Sequence, residues 1–278
     1  GDSIFSRIMN DPHPESIYEQ YPFDIKPPTD DKPFFFYTVR FDNARMLLSE
    51  NKKFTSYMNN IGLVILVSVF IIVTLMLAAL MFMPLTAASK KTPFKLQKIF
   101  AITYFSSIGV GFMLAEITFL QKFILFLGHP TYSLSIVLFS LLVSSGIGSY
   151  LTGLRKDYAE NKLRHITLAI AILAAAYTII LPNVFEAFLN NPLSQRILIS
   201  LTLITPLGIL MGMPFPTAIR KLNKTDYKTI PWMWAINGGS SVLASIIAVI
   251  IAINWGFKTA LLLGAVAYLT AATTTKKL

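Results

Sequence analysis

The chain has 278 residues, of which 54% are hydrophobic and 14% are charged, and its net charge is +10. A soluble domain carries about a quarter charged residues, and here the apolar residues gather in long uncharged runs, so the composition predicts a membrane protein. The absence of cysteine excludes disulfides, thiolate zinc sites, iron–sulfur clusters and a cysteine nucleophile.

Residues 1–60 form a short polar N-terminal segment. The chain starts at Gly1 without the basic and apolar stretches of a signal peptide, which predicts a processed product or a part of something longer. Within the segment, Glu15 to Tyr21 and Asn43 to Lys53 are predicted to form short helices. A segment of this length cannot bury a sizeable core alone, so we interpret it as the tail of a preceding domain.

Seven apolar runs follow, each close to the roughly 20 residues that a helix needs to cross a bilayer. They extend from Ile61 to Leu85, Ile99 to Leu127, Tyr132 to Leu154, Ile166 to Leu181, Ile197 to Ile219, Trp232 to Ile253 and Phe257 to Thr273. The sequence therefore predicts an all-α integral membrane fold, in which residues 61–278 form a bundle of seven transmembrane helices.

Two connections between these spans have predictable structures. Gly128-His129-Pro130 is so short that the second and third spans are expected to form a tight antiparallel hairpin. Asn183 to Gln195 is longer, and we expect it to form a short interfacial helix carrying Phe185 and Phe188.

Basic residues gather in the loops after the first, third, fifth and seventh spans. These residues are Lys90, Lys91, Lys95 and Lys98, then Arg155, Lys156, Lys162 and Arg164, then Arg220, Lys221, Lys224 and Lys228, and finally Lys276 and Lys277. The positive-inside rule predicts that these loops and the C-terminus are cytoplasmic, in a bacterial-type inner membrane, and that the N-terminal segment lies outside. The positive charge is thus a topology signal, and membrane lipid rather than nucleic acid is the expected partner.

Glu116 lies inside the second span, where a carboxylate costs several kcal/mol unless it is paired, hydrated or protonated. It is either a functional residue facing the bundle interior or a neutral acid that hydrogen-bonds to a neighbouring helix. Lys122 is six residues further on, and we expect it to extend to the outer interface rather than to pair with Glu116.

The fifth span is interrupted by proline and glycine between Thr205 and Thr217, at Pro206, Gly208, Gly212, Pro214 and Pro216. Interrupted membrane helices often line substrate sites, because free carbonyl groups are tolerated only beside protein or water. The alternative is a kinked packing helix that uses Gly208 and Gly212 for close approach to a neighbour.

Small and polar residues recur at a spacing of four in two spans, and they predict close helix packing. The two sets are Ser145, Ser149 and Gly153, and Asn237, Ser241 and Ser245. The amide of Asn237 must also find partners at membrane depth, and His129 in the hairpin turn could titrate near neutral pH. The candidate residues for a substrate or ion path are therefore Glu116, Asn237, Pro214, Pro216 and His129. No catalytic residue, cofactor loop or metal site is predicted, because glycine-rich motifs and histidine pairs at ligand spacing are absent from the sequence.

Several segments together resemble one family, the membrane-integral spermidine-synthase-like proteins, in their C-terminal membrane part. These segments are Tyr21-Pro22-Phe23-Asp24 followed by Pro27-Pro28-Thr29-Asp30-Asp31-Lys32-Pro33-Phe34-Phe35-Phe36, then Phe112-Met113-Leu114-Ala115-Glu116 through Gln121-Lys122, Leu127-Gly128-His129-Pro130, Gly146-Ile147-Gly148-Ser149, Met213-Pro214-Phe215-Pro216 and Trp234-Ala235-Ile236-Asn237-Gly238. The resemblance covers nearly the whole chain.

The resemblance implies a membrane domain that anchors or serves a Rossmann-like domain of the aminopropyltransferase or methyltransferase kind. That domain would lie upstream or on a separate chain, would hold an S-adenosylmethionine-type ligand, and would end near residue 40. This chain lacks it, so no complete active site is present. Two alternatives stay open: a structural subunit that associates with other membrane subunits, and a transporter that uses Glu116 and the broken fifth helix.

Overall fold

The computed structural model describes residues 4–20, 24–34, 61–88, 96–154 and 156–278. By their contacts, residues Gly1–Ile72 and Val73–Leu278 form two separate compact units. The predicted helix Asn43 to Lys53 lies outside the described residues, as do Tyr21 and the basic residues Lys90, Lys91, Lys95 and Arg155. The interpretation of residues 1–60 as the tail of a preceding domain stays a prediction.

Before residue 35, the described residues of the first unit form two short helices, α1 (Ile4–Asn10) and α2 (Glu15–Gln20). Helix α2 confirms the predicted helix after Pro14, whereas α1 was not predicted. An antiparallel bridge between Thr29 and Lys32 closes the turn that follows.

The helices of the apolar part follow the predicted spans, although several bounds differ. They are α3 (Ile61–Ala88), α4 (Leu96–Leu127), α5 (Pro130–Leu154), α6 (Lys156–Phe188), α7 (Leu193–Met211), α8 (Pro214–Thr225) and α9 (Ile230–Thr274). The all-α prediction is confirmed for the described residues. Runs of about 20 apolar residues become helices because a helix satisfies its backbone groups internally.

Within the described residues, five stretches of helix are long and apolar enough to cross a membrane. They are Ile99–Leu127, Pro130–Leu154, Ala159–Phe188, Leu193–Thr225 and Tyr227–Thr274. The predicted count of seven is not confirmed. The described part of α3 adds only a shorter apolar stretch, Ile65–Ala79, and the sixth and seventh predicted spans both lie within α9.

Helix α9 is broken at Gly256, where φ is 85° and ψ is 164°. On one side of the break, Ser241 lies against Gly109 of α4. On the other side, Tyr268 lies against Gly111, only two residues further along α4. A straight helix would separate Ser241 from Tyr268 by about 40 Å. The chain therefore folds back at Gly256, and the first arm (residues 230–255) and the second arm (residues 257–274) both pack against α4.

The hairpin of α4 and α5 confirms the prediction for the Gly128 turn. Gly128 has a φ of 82°, and its N–H donates to the carbonyl of Ile124 at 2.9 Å, which ends α4 with a left-handed cap. The hydroxyl of Ser133 then donates to the carbonyl of Leu120 at 2.6 Å and fixes the first turn of α5 against α4.

The predicted interfacial helix between the fourth and fifth spans is wrong. Helix α6 continues through Pro182 to Phe188, so Asn183 belongs to a membrane-length helix. The extension is stabilised by Phe185, whose ring stacks on Phe126 with centroids 4.4 Å apart and also contacts Phe123. A proline is tolerated there because the neighbouring helices hold the extra turn in place.

The close contact between α5 and α7 depends on glycine. Between α5 and α7, a Cβ atom on Gly148 would overlap the carbonyl of Ile209, and one on Gly208 would overlap the hydroxyl of Ser144. Gly212 likewise faces the backbone of Ser145. The predicted role of Gly208 and Gly212 in close approach is thus confirmed.

The predicted packing face of the third span is wrong by one residue. The buried stripe of α5 consists of Ser133, Val137, Ser140, Leu141, Ser144, Gly148 and Thr152. A Cβ atom on Gly153 would meet open space, and Ser149 is only half-buried. Both stripes have the same spacing of four, so the sequence pattern alone does not distinguish them.

Candidate functional site

Two of the predicted site residues come together at one turn of α4, at Tyr104 and Phe105. The side-chain amide of Asn237 donates to the carbonyl of Phe105 at 2.8 Å. The hydroxyl of Tyr104 donates to the carbonyl of Pro214 at 3.2 Å. The side-chain amide of Asn237 therefore has a hydrogen-bond partner within the bundle. Through these two bonds, α4 contacts both the first arm of α9 and the start of α8.

Aromatic rings fill the space beside these hydrogen bonds. Phe105 packs edge-on against Phe215, with ring centroids 5.4 Å apart. Phe215 in turn packs edge-on against Trp234, at 4.6 Å. Tyr104 is completely buried. The junction between α4, α8 and α9 is apolar and is closed at Tyr104 and Phe105, whereas Trp234 at its edge is 60% exposed. Its polar groups are held in hydrogen bonds between helices.

The interruption of the fifth span lies at Gly212 and Met213, between the end of α7 and the start of α8. Pro206 lies inside α7 and does not end it. Pro214 occupies the first position of α8, where its missing N–H costs nothing, and Pro216 is half-buried two residues later.

A second tyrosine supports the proline-containing part of α7. The hydroxyl of Tyr177 on α6 donates to the carbonyl of Leu203, three residues before Pro206. Pro206 removes the N–H that would bond the carbonyl of Thr202, and Tyr177 supplies a donor to the next carbonyl in this distorted turn. Tyr104 and Tyr177 thus serve backbone carbonyls near the interrupted region, which the sequence analysis did not anticipate. The sequence did contain one indication of these contacts: tyrosine inside an apolar span has a hydroxyl group that needs a hydrogen-bond partner.

Glu116 lies apart from this junction. It follows Phe105 by eleven residues on α4, which corresponds to about 16 Å along the helix. Its side chain is half-buried, and within the described residues its carboxylate makes no hydrogen bond or ion pair. Lys122 is only 7% exposed, so its side chain is buried within the chain, and its extension to the outer interface stays a prediction.

His129 lies at the opposite end of α4 from the junction. It is exposed in the α4–α5 turn, where its Nδ1 accepts a hydrogen bond from the backbone N–H of Thr131 at 3.2 Å. Its ring also packs against Tyr132. The five predicted residues therefore do not form one site: Asn237 and Pro214 bind adjacent residues of α4, Pro216 follows Pro214 by two positions, and Glu116 and His129 are separate.

Basic side chains donate hydrogen bonds to carbonyls at the ends of three helices, another feature that the sequence analysis missed. Arg196 donates to the carbonyl of Phe126 in the last turn of α4, at 2.8 Å. Arg220 donates to Thr152 near the end of α5 at 3.0 Å, and Lys221 to Thr275 after α9 at 2.8 Å. Cations at these positions satisfy carbonyls that have no donor within the helix and oppose the negative end of its dipole.

Comparisons with protein-family models, curated proteins and solved structures find no match to this chain. In the part that the structure describes, no three His, Asp or Glu side chains come together as metal ligands. The polar groups that the structure brings together form hydrogen bonds between helices. Among the predicted site residues, Glu116 alone has a charged group without a protein partner in the described part of the chain.

Proposed function

We propose that this chain is the membrane domain of a spermidine-synthase-like protein, and that it anchors or serves a soluble Rossmann-like domain outside this chain. The observation that carries the proposal is the closed junction at Tyr104 and Phe105. There, Asn237 and Pro214 are engaged in contacts between helices. A packed bundle of this kind suits an anchor, because a transport path needs polar groups that remain open to a solute.

The proposal is tested by looking for the soluble domain, either fused to this chain or bound to it. The protein is purified from its native membrane, and its intact mass and N-terminal peptides are determined. We expect either a mass well above 31.0 kDa, with upstream peptides from a glycine-rich strand–loop–helix, or a Rossmann-type protein that co-purifies in fixed ratio. A mass near 31.0 kDa without such a partner would rule out the anchor and favour a structural subunit of a larger complex.

We further infer seven membrane crossings, with α3 and each arm of α9 counted separately, the N-terminal segment outside and the C-terminus cytoplasmic in a bacterial-type inner membrane. The natural absence of cysteine makes this testable with single introduced thiols. Asn190→Cys and Asn223→Cys lie at exposed positions in the α6–α7 turn and in α8. An impermeant maleimide should label Asn190→Cys in intact cells and Asn223→Cys only after permeabilisation. The reverse pattern would invert the topology.

One observation favours a second candidate function, an ion path through Glu116. Its half-buried carboxylate has no protein partner among the described residues, and such a group inside a membrane span is by default functional. Proteoliposomes with a trapped pH dye would measure proton flux for the parent and for Glu116→Gln. Flux that is lost in the variant while the thermal transition is kept would support the path. Absence of flux in the parent would reject proton transport.

A further inference from the structure

Helix α8 contacts the ends of three other helices through three basic side chains. Arg220 and Lys221 close the ends of α5 and α9. Lys224 forms an ion pair with Glu160 near the start of α6, at 2.8 Å. This end of the second unit, here called the α8 end, therefore uses part of its positive charge to hold the helices together.

The α8 end carries more positive charge than its carboxylates can neutralise. Four further basic residues there are exposed and have no ion pair within the described residues: Lys162, Arg164, Lys228 and Lys276. Of the described carboxylates, Glu160 is paired with Lys224, and Asp226 accepts a hydrogen bond from the hydroxyl of Thr229 at 2.6 Å. A surface with such an excess attracts an anionic partner.

Aromatic and apolar side chains adjoin these cations. Tyr227 is 64% exposed, and the ammonium of Lys228 lies 6.0 Å from the centre of its ring. Trp234, one to two turns further on in α9, is 60% exposed, and Leu154 at the end of α5 is similarly open. Exposed tyrosine and tryptophan beside lysine and arginine are typical of the level where a membrane protein meets lipid headgroups. The partner that fits is thus a lipid with a negative headgroup rather than a soluble acidic protein.

We propose that the α8 end binds the phosphate groups of anionic phospholipids through Arg164 and Lys228, which follow Glu160 and Lys224 of the ion pair by four residues each in the chain. Arg164 follows Glu160 by four residues on α6, which places it on the same face of that helix. Lys228 lies in the short 3-10 turn Tyr227–Thr229, directly after the end of α8 that carries Lys224. A guanidinium offers a fork of donors that matches a phosphate, and an ammonium adds a point charge. The proposal needs only that the chain spans a membrane, and it is independent of any soluble domain.

The three tryptophans provide the reporters. In a Trp255→Phe background, fluorescence comes from Trp232 and Trp234 at the α8 end. The full chain is placed in vesicles that contain brominated phosphatidylglycerol or brominated phosphatidylcholine, and quenching by each lipid is compared. We expect preferential quenching by phosphatidylglycerol that weakens as salt is added. Arg164→Gln/Lys228→Gln should reduce the preference by roughly fivefold for each charge removed.

The controls separate charge from folding. Lys258→Gln removes a cation at the opposite end of the second arm and should leave the preference unchanged. Arg164→Lys/Lys228→Arg keeps both charges and should keep it as well. Equal quenching of the parent by the two lipids, or a preference for phosphatidylglycerol that survives both high salt and the double glutamine variant, would overturn the proposal. Binding of a soluble acidic protein without any lipid preference would also overturn it.

Discussion

The hydroxyl of Tyr104 donates a hydrogen bond to the carbonyl of Pro214 at 3.2 Å, although the two residues are 110 positions apart in the chain. Tyr104 is completely buried, so no water can replace it as the donor. The contact links the first third of α4 to the residue at which α8 begins. It makes the start of α8 depend on a side chain from another helix.

Tyr104→Phe is therefore expected to destabilise the bundle by about 1–3 kcal/mol, because a buried carbonyl loses its side-chain donor while the ring is kept. Thermal unfolding of the purified protein in detergent measures the change. Tyr150→Phe is the matched control, since Tyr150 is 67% exposed. Equal transition temperatures for the two variants would show that the Tyr104 bond contributes nothing.

Gly148 and Gly146 provide a matched pair on α5. A Cβ atom on Gly148 would overlap the carbonyl of Ile209 on α7, whereas one on Gly146 would meet nothing within 4 Å. Gly148→Ala should force the helices apart and cost about 1–3 kcal/mol. Gly146→Ala should be neutral or slightly stabilising, because alanine favours the helix. Unfolding in detergent compares them, and equal effects of the two substitutions would contradict the close α5–α7 contact.

Gly256→Ala tests the fold-back of α9. The backbone at Gly256 adopts a φ of 85° and a ψ of 164°, a region that is essentially restricted to glycine. The substitution should cost about 1–3 kcal/mol or straighten the break. Gly238→Ala in the helical first arm, where a Cβ atom has open space, serves as the control. Spin labels on the two arms would report whether their distance increases. An unchanged distance together with unchanged stability would count against the fold-back.

Acid is expected to weaken the turn around Asp24 in the first unit. Burial raises the pKa of Asp24, but the hydrogen bond and charge of Lys32, with a smaller contribution from Lys26, outweigh it and hold the pKa below its ordinary value. A depressed folded-state pKa means that the pair stabilises the turn above the unfolded-state value and that this stabilisation is lost as pH falls through the folded-state value.

NMR titration of the Asp24 carboxyl group measures this pKa directly. Lys32→Gln should move the midpoint upward, since it removes the ammonium that lies 2.6 Å from Asp24 Oδ2. Lys26→Gln should move it less, because the backbone N–H of Lys26 still donates to Asp24. A midpoint that does not respond to Lys32→Gln would mean that the ion pair does not form in solution.

The sequence alone was sufficient for the helices and for the tight hairpin. Long apolar runs can satisfy their backbone groups in a membrane only as helices, so the runs themselves predict the elements. Gly128 and Pro130 end one helix and start the next with only His129 between them. The prediction of an interfacial helix from Asn183 to Gln195 was wrong, because the packing of Phe185 on Phe126 extends α6 through Pro182 to Phe188.

Only the tertiary structure decided which faces and which polar groups meet. The stripe with Ser144 and Gly148 and the stripe with Ser145 and Ser149 have the same spacing, and the choice between them depends on the shape of α7. The pairing of Tyr104 with Pro214 joins residues far apart in the chain, and no local pattern specifies such a contact. Backbone satisfaction within each helix is a local property that the sequence encodes directly, whereas the partner of a buried side chain depends on how the helices pack together.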